Sequence, residues 1–319
     1  MLFSVRKMKH IFIVNPKAGK PGSAEKTIPE IEKAAAAFPE KEIEIYSTTA
    51  PRDATRYARE RALAEDGEIR FYACGGDGTL NEVVNGLRGL SNASVGCIPV
   101  GSGNDFVRNF SGPEGSFTNI EQQLFGESVP IDLIAWNDSV CINMLNIGFD
   151  CDVVAEAERL KTKRFFRGKL SYVGGIFVVL RKKYGFPLTA SFDSVKKAEG
   201  EMLLLAVANG GYCGGGFHTS LAARLDDGLM DAYLIHKIKR GRFMKLLPGY
   251  RTGKYVNQKA ARDCVEHIRC REIELSSPEL HLCADGEVFS LTTASIKILP
   301  GAVRFIIPRS CTFAAPAAF

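Results

Sequence analysis

The chain has 319 residues, 45% of them hydrophobic, and 41 Lys and Arg stand against 36 Asp and Glu, a net charge of +5. That length and apolar content can bury a large core over about two domains, which excludes a disordered or fibrous protein. The mild basic excess suits anionic nucleotides or headgroups and is too weak for a nucleic-acid partner, while nine scattered cysteines, an odd number with no CxxC, argue for reduced, buried thiols rather than disulfides or a Cys/His metal site.

After a basic lead-in, His10 to Val14 reads as a strand that breaks at Asn15-Pro-Lys-Ala-Gly-Lys-Pro-Gly22, ahead of a helical stretch from Ser23 to Phe38 with Pro29 near its start or at a kink. Glu42 to Tyr46 alternates as a strand, and Ser47 to Asp53 turns into a helix reaching about Glu65. The unit repeats at Phe71 to Leu87, where the apolar run ends in Gly75-Gly-Asp-Gly78 and helical spacing resumes from Thr79. It repeats again where Val95 to Val100 meets Gly101 to Asp105 and a short helix to Asn109. Four such β-to-α units predict a parallel sheet flanked by helices, with ligands at the carboxyl ends of its strands.

Beyond Asp132 the rhythm changes to strand-like runs at residues 131–136, 140–147, 202–208, 230–235, 272–275, 280–283 and 296–299. They predict a mostly antiparallel second domain, with one or two helices over Val153 to Lys183 as the exception. Val303 to Ile307 reads as a strand that returns to the first domain. The expected domains are therefore 1–131, completed by 303–319, and a β-rich 132–302. Ile11 to Val14 is too short for a signal peptide and Leu170 to Leu180 too short to span a bilayer, so no transmembrane segment is expected.

The Gly75–Gly78 turn carries the chemistry. Its glycines let another molecule approach the backbone, and the amides of a helix start favour phosphate. Asp77 would repel phosphate without a metal or a transferable proton, so it points to chemistry as well as binding. Read alone, the turn is equally a Gly-rich connection with Asp as a cap. No Gly-x4-Gly-Lys-Ser/Thr occurs, Phe106 stands where a dinucleotide fingerprint needs its third glycine, and protein-kinase and HExxH signatures are absent. The five histidines, at 10, 218, 236, 267 and 281, form no metal-spaced pair.

Six motifs stand in the order found in the diacylglycerol kinase catalytic domain family: Asn15-Pro-Lys-Ala-Gly-Lys20; Gly75-Gly-Asp-Gly-Thr79 with Asn81-Glu82; Gly101-Ser-Gly-Asn-Asp105; Asn209 with Gly214-Gly-Gly-Phe217; Leu225-Asp-Asp-Gly-Leu229; and Asp285-Gly-Glu287. The chain closely resembles the soluble bacterial lipid kinases of that family over essentially its whole length. The resemblance implies an N-terminal three-layer α/β nucleotide domain of NAD kinase and diacylglycerol kinase type and a C-terminal β-sandwich, with ATP and lipid meeting in the cleft between them.

Carried over by residue, Gly75, Gly76, Gly78 and Thr79 hold ATP phosphates, and Asn15, Lys20, Thr48, Glu82 and Ser102 line the nucleotide site. Asp77 joins metal and catalytic interactions, and Glu287 resembles the candidate base for the lipid hydroxyl. Asp105 and Asp132 match a family acidic network in which structural Mg²⁺ is held by the Asp227 carboxylate and the carbonyls of Arg224 and Leu229. Without the resemblance, Asp226-Asp227-Gly228 and Asp285-Gly286 are ordinary turns, and Asn104-Asp105 a helix cap. Ser102, Gly103 and Leu221 depart from the family pattern, and Leu221, where Pro is usual, bears on the backbone near the Mg²⁺ position.

Basic and aromatic residues flank an apolar run in Lys163 to Lys183, and Ile238 to Val256 is similar; both compositions suit either a membrane interface or a buried helix with a solvated face. The expectation is thus an ATP- and Mg²⁺-dependent kinase of diacylglycerol or a related lipid, cytoplasmic and peripheral at the membrane, with a homodimer compatible. A kinase of a soluble alcohol or NAD, and an idle nucleotide-binding regulator, are the alternatives.

Overall fold

The computed structural model describes residues 8–161, 169–181 and 184–315. They divide into two compact units, one holding the residues up to Ile131 together with Gly301–Ala315, the other Asp132–Pro300.

The first unit alternates strand and helix: β1 (Lys9–Val14), α1 (Thr27–Ala37), β2 (Glu42–Ser47), α2 (Asp53–Leu63), β3 (Ile69–Gly75), α3 (Asp77–Leu87) and β4 (Ala93–Pro99). Then come β5 (Phe110–Ser111) and α4 (Ile120–Leu124). The strands pair in the order β4-β3-β1-β2, all parallel. Alternation along each strand sends side chains to both faces. Phe12, Val14, Tyr72, Cys74 and Ile98 pack with Ile31 of α1 and Leu124 of α4, while the equally buried Ile11, Ile13, Phe71 and Ala73 face the other way. Burial on both faces explains why these strands read as unbroken apolar runs. Helix α1 starts four residues later than expected and takes Pro29 in its first turn, where a missing N–H costs nothing. The short helix after Asp105 is a 3₁₀ turn, Phe106–Asn109.

Strand β6 (Glu127–Trp136) leads into the second unit, which continues with β7 (Ser139–Cys141), β8 (Met144–Gly148), α5 (Phe149–Lys161), α6 (Lys169–Arg181), β9 (Phe186–Phe192) and β10 (Lys196–Ala208). The two-residue strands β11 (Tyr212–Cys213) and β12 (Phe217–His218) precede β13 (Met230–His236), α7 (Arg240–Tyr250), β14 (Val265–Cys270), β15 (Glu272–Ala284) and β16 (Glu287–Ile307). The pairings β14-β13-β10-β8-β15-β16 are antiparallel, and β9 pairs with both β10 and β15. In β10, Leu205 and Val207 join one core with Ile147, Leu234 and Leu282, whereas Leu204, Ala206 and Ala208 join another with Phe149, Phe243 and Tyr255. The sheet is thus covered on both faces, by strands on one side and by helices on the other. At the far end of β16, Arg304 and Phe305 pair in parallel with Ser94 and Val95 of β4, and β17 (Thr312–Phe313) pairs with β5.

The expected strand 140–147 is two strands, because the amides of Ile142, Asn143 and Met144 are taken by the Asp285 carboxylate instead of a ladder. The runs expected at 272–275 and 280–283 are one strand, β15, with a register irregularity between Ser276 and Leu280 around Pro278. Residues 163–168 and the Lys182-Lys183 pair, set against a membrane interface above, lie outside the described residues.

Asp150, at the start of α5, is buried and accepts a hydrogen bond from the Tyr250 hydroxyl. Burial pushes its carboxyl from 3.8 up to about 6, only partly offset by that bond. A raised folded-state value contributes stability below pH 3.8 that is lost as pH rises through about 6. Asp150→Asn, which keeps an acceptor for Tyr250, should therefore stabilise the protein by about 1–3 kcal/mol at pH 8 and leave it unchanged near pH 3. Urea unfolding at the two pH values tests this; equal effects at both would remove ionisation as the cause.

Candidate functional site

At the carboxyl end of β3 the chain turns through Gly75 and Gly76 into α3, whose first residue is Asp77. Of the first-turn amides, that of Thr79 is taken by the Gly76 carbonyl at 3.0 Å, and Gly78 is exposed there. Two neighbouring loops clamp this turn. From the end of β1, Asn15 Nδ2 donates to Thr79 Oγ1 at 3.0 Å, while Asn15 Oδ1 accepts from the Lys17 amide at 3.0 Å. From the end of β4, the Val100 and Gly101 amides donate to the Gly75 carbonyl at 2.9 and 3.2 Å. A Cβ on Gly101 would overlap Gly76 Cα, so the two backbones approach this closely because Gly101 carries no side chain.

The Asp77 carboxylate faces the loop after β4. Its Oδ2 accepts the Asp105 amide and its Oδ1 the Phe106 amide, each at 3.1 Å, capping the 3₁₀ turn. Each oxygen retains a lone pair. A Cβ on Gly103 would lie 3.1 Å from Asp77 Oδ2 and 3.6 Å from Asp105 Oδ2, which puts the two carboxyl groups beside the same bare stretch of backbone. Asp105 is buried, with Arg108 Nε at 3.5 Å. Ser102 and Lys20 are exposed and Glu82 is half-buried on α3. Thr48 follows β2, its amide bonded to the Val14 carbonyl at 2.9 Å.

A residue the motifs did not single out orders that last loop. Asp53 Oδ2 accepts from the Thr49 amide, the Tyr46 hydroxyl and the Thr49 hydroxyl at 2.9, 2.9 and 3.1 Å, and Oδ1 pairs with Arg56 at 2.7 Å. The Thr49 amide above all, with Arg56 and the hydroxyls, holds its carboxyl down at about 2. The sequence signal was an Asp in the first turn of the expected helix, where a negative charge is favoured.

In the second unit, Asp132 accepts the Gly228 amide at 2.7 Å and donates its own amide to the Leu225 carbonyl at 2.7 Å, while Asn209 Nδ2 bonds the Asp132 and Ile142 carbonyls, each at 2.8 Å. Asp132, Asn209 and the Asp226–Gly228 turn therefore form one hydrogen-bonded cluster. Asp227 Oδ1 accepts the Leu229 amide at 3.1 Å, and Oδ2 is paired with the Arg269 guanidinium. Arg224 reaches Asp226 at 3.1 Å. A divalent cation on Asp227 would share that carboxylate with Arg269; the carboxylate and carbonyls are suitable hard ligands, but the turn already holds a cation of its own. Among the described residues no group of three or more His, Cys, Asp and Glu stands close enough to hold a metal. Glu287, exposed at the start of β16, pairs with Ala284 across the Asp285-Gly286 hairpin.

Residues 9–136 match the family described as diacylglycerol kinase catalytic domain, and residues 143–307 match the YegS C-terminal NAD kinase beta sandwich-like domain. A Shewanella frigidimarina protein named "Probable lipid kinase YegS-like" is 30% identical over 266 residues, covering 81% of this chain and 82% of that protein. The crystal structure of "a putative diacylglycerol kinase from Bacillus anthracis str. Sterne" superposes with a TM-score of 0.72 at 27% identity, over 93% of this chain and 96% of that one. An Archaeoglobus fulgidus NAD kinase in complex with ATP shares the fold, at a TM-score of 0.50 and 14% identity over 94% of each chain. With a parallel α/β unit whose clamped Gly-Gly-Asp-Gly-Thr turn opens α3, followed by a doubly covered antiparallel unit, the chain belongs to the YegS-like family, which joins a diacylglycerol kinase catalytic domain to an NAD kinase-like β-sandwich.

Proposed function

We propose that the protein is a lipid kinase that transfers the γ-phosphoryl group of ATP, taken as its Mg²⁺ complex, to the hydroxyl of diacylglycerol or a related lipid at a membrane surface. The observation that carries this reading is the clamped turn, which holds the exposed Gly78 of the helix start and the Asp77 carboxylate together at the carboxyl end of a parallel sheet. Gly75, Gly76, Gly78 and Thr79 bind the polyphosphate, and Asn15, Lys20, Thr48, Glu82 and Ser102 line the nucleotide site. Asp77 orients the Mg²⁺-bound phosphates. Glu287 takes the proton of the lipid hydroxyl as the new O–P bond forms and the bond to ADP breaks. Phosphoryl transfer needs little from a base and much from placement and charge neutralisation. Asp105 supports the loop after β4, and Asp132 supports the Asp226–Gly228 turn. The carbonyls of Arg224 and Leu229 and the Asp227 carboxylate would hold a structural Mg²⁺, which would have to take Asp227 from Arg269.

The test is transfer of labelled γ-phosphate from ATP with Mg²⁺ to a panel of lipids in mixed micelles, with NAD and soluble polyols alongside. Labelled diacylglycerol is the expected result. Label in another lipid keeps the mechanism and changes the acceptor, label only in NAD or a polyol overturns the lipid reading, and no label with ATP bound leaves a nucleotide-binding regulator.

A further inference from the structure

The net charge of +5 is unevenly placed: residues 237–262 hold nine Lys and Arg and no Asp or Glu, so the rest of the chain stands at −4, the difference between +5 and +9. This stretch comprises α7 and the two 3₁₀ turns after it. One side is buried through Phe243, Leu246, Tyr250, Tyr255 and Ala261. Gly249 lets the helix end press against Gln258, since a Cβ there would overlap the Gln258 amide, so the segment is packed into a fixed shape. The helical spacing of four then sets Arg240, Met244 and Pro248 outward, with Lys245 beside them.

Four of the cations are engaged within the protein, Arg251 among them with its guanidinium over the Phe217 ring. Lys237 pairs with Glu201 at 2.9 Å, Arg242 lies 3.4 Å from Asp263, and Arg240 donates to the Leu180 carbonyl at 2.6 Å with its guanidinium over the Tyr184 ring. The other five, Lys239, Lys245, Lys254, Lys259 and Arg262, are exposed, and none has a carboxylate within ion-pair distance among the described residues. Met244 stands among them 42% exposed, and Phe177, on the helix α6 that Arg240 joins to α7, is 56% exposed. Among the described residues no helix is long and apolar enough to cross a membrane.

We infer that the surface of residues 239–262 docks the protein on an anionic lipid bilayer. Unpaired cations on a rigid frame are attracted to an anionic headgroup layer, and the exposed Met244 and Phe177 side chains add apolar contact where the acyl region begins. The attraction is strongest at low salt and fades within a Debye length. A nucleic-acid strand would answer the same charge. The surface offers it no stacked aromatic platform, and apolar Met244 in its middle favours the bilayer. Docking requires no turnover, so this inference goes beyond the kinase reading and stands or falls separately from it.

Flotation of the full chain with vesicles of phosphatidylcholine plus phosphatidylglycerol, against phosphatidylcholine alone, tests it. The anionic vesicles should carry the protein at low salt and release it as salt rises, and the neutral ones should not. Each cation removed should weaken partitioning roughly fivefold, so the triple variant Lys245→Gln, Lys254→Gln, Lys259→Gln should lose about a hundredfold. These are exposed positions, and circular dichroism and phosphoryl transfer to short-chain diacylglycerol in neutral detergent should be unchanged. Undiminished flotation of the triple variant, equal binding to neutral vesicles, or displacement from vesicles by single-stranded DNA at lower concentration than the lipid would each overturn the inference. Salt-sensitive flotation with no acceptor phosphorylated would leave the surface standing and remove the kinase reading.

Discussion

Asp77→Asn should lower phosphoryl transfer at least about 100-fold while ATP still binds, because it removes the negative charge that orients the Mg²⁺-bound phosphates in the proposed site. It should also cost stability. The carboxylate accepts two amides, from Asp105 and Phe106, one on each oxygen. An Asn offers one oxygen and one NH₂, so one amide must face a donor, at a cost of about 1–2 kcal/mol. The two consequences separate experimentally: steady-state kinetics at 25 °C, where the protein remains folded, reads the chemistry, and the urea midpoint reads the cap. A stability loss with a wild-type rate would reduce Asp77 to a tie between two loops. A rate loss with unchanged stability would mean that the two amides find other partners.

A larger loss of stability is expected for Asp285→Ala. The Asp285 carboxylate accepts the amides of Ile142, Asn143 and Met144 at 2.8, 3.2 and 3.1 Å, and these three residues are buried. Removing it strands three buried donors, each worth about 1–3 kcal/mol when unsatisfied, so a total of about 3–5 kcal/mol is expected. Asp285 also sits at φ +45°, which Asp tolerates better than Ala. Asp285→Asn should fall between wild type and Ala, since it keeps one acceptor and the tolerance for that backbone. Urea unfolding of the three proteins gives the order; an Ala variant within about 1 kcal/mol of wild type would show that the Ile142–Met144 segment does not depend on this carboxylate.

Much of the first unit could be read directly from its residues, for a local reason. Strands buried on both faces are short apolar runs, and the turns that end them need glycine, so β1, β3, β4 and the Gly75–Gly78 turn announce themselves within a dozen residues each. The six ordered motifs then identified the family, and the α/β and β-sandwich classes followed. The sequence also placed Asp77, Thr79 and Asn15 in motifs, without showing that Asn15 and Thr79, 64 positions apart, are hydrogen-bonded.

What only the tertiary structure decided lies between residues far apart in the chain. Nothing near Val140 says that the strand must break, because the break is made by Asp285, over 140 positions away. Strand β14 makes a weak pattern because its partly exposed Glu266, His267 and Arg269 interrupt any apolar run, and β9 alternates but carries Pro187, which argues against a strand; pairing with neighbours makes both of them strands. Arg269 gives no sign in sequence of pairing with Asp227, nor does Asp77 of capping the turn after Asp105. In each case a polar group's partner is chosen by the folded path of the chain. Local sequence sets which groups need partners, and only packing brings the two within 3 Å or so.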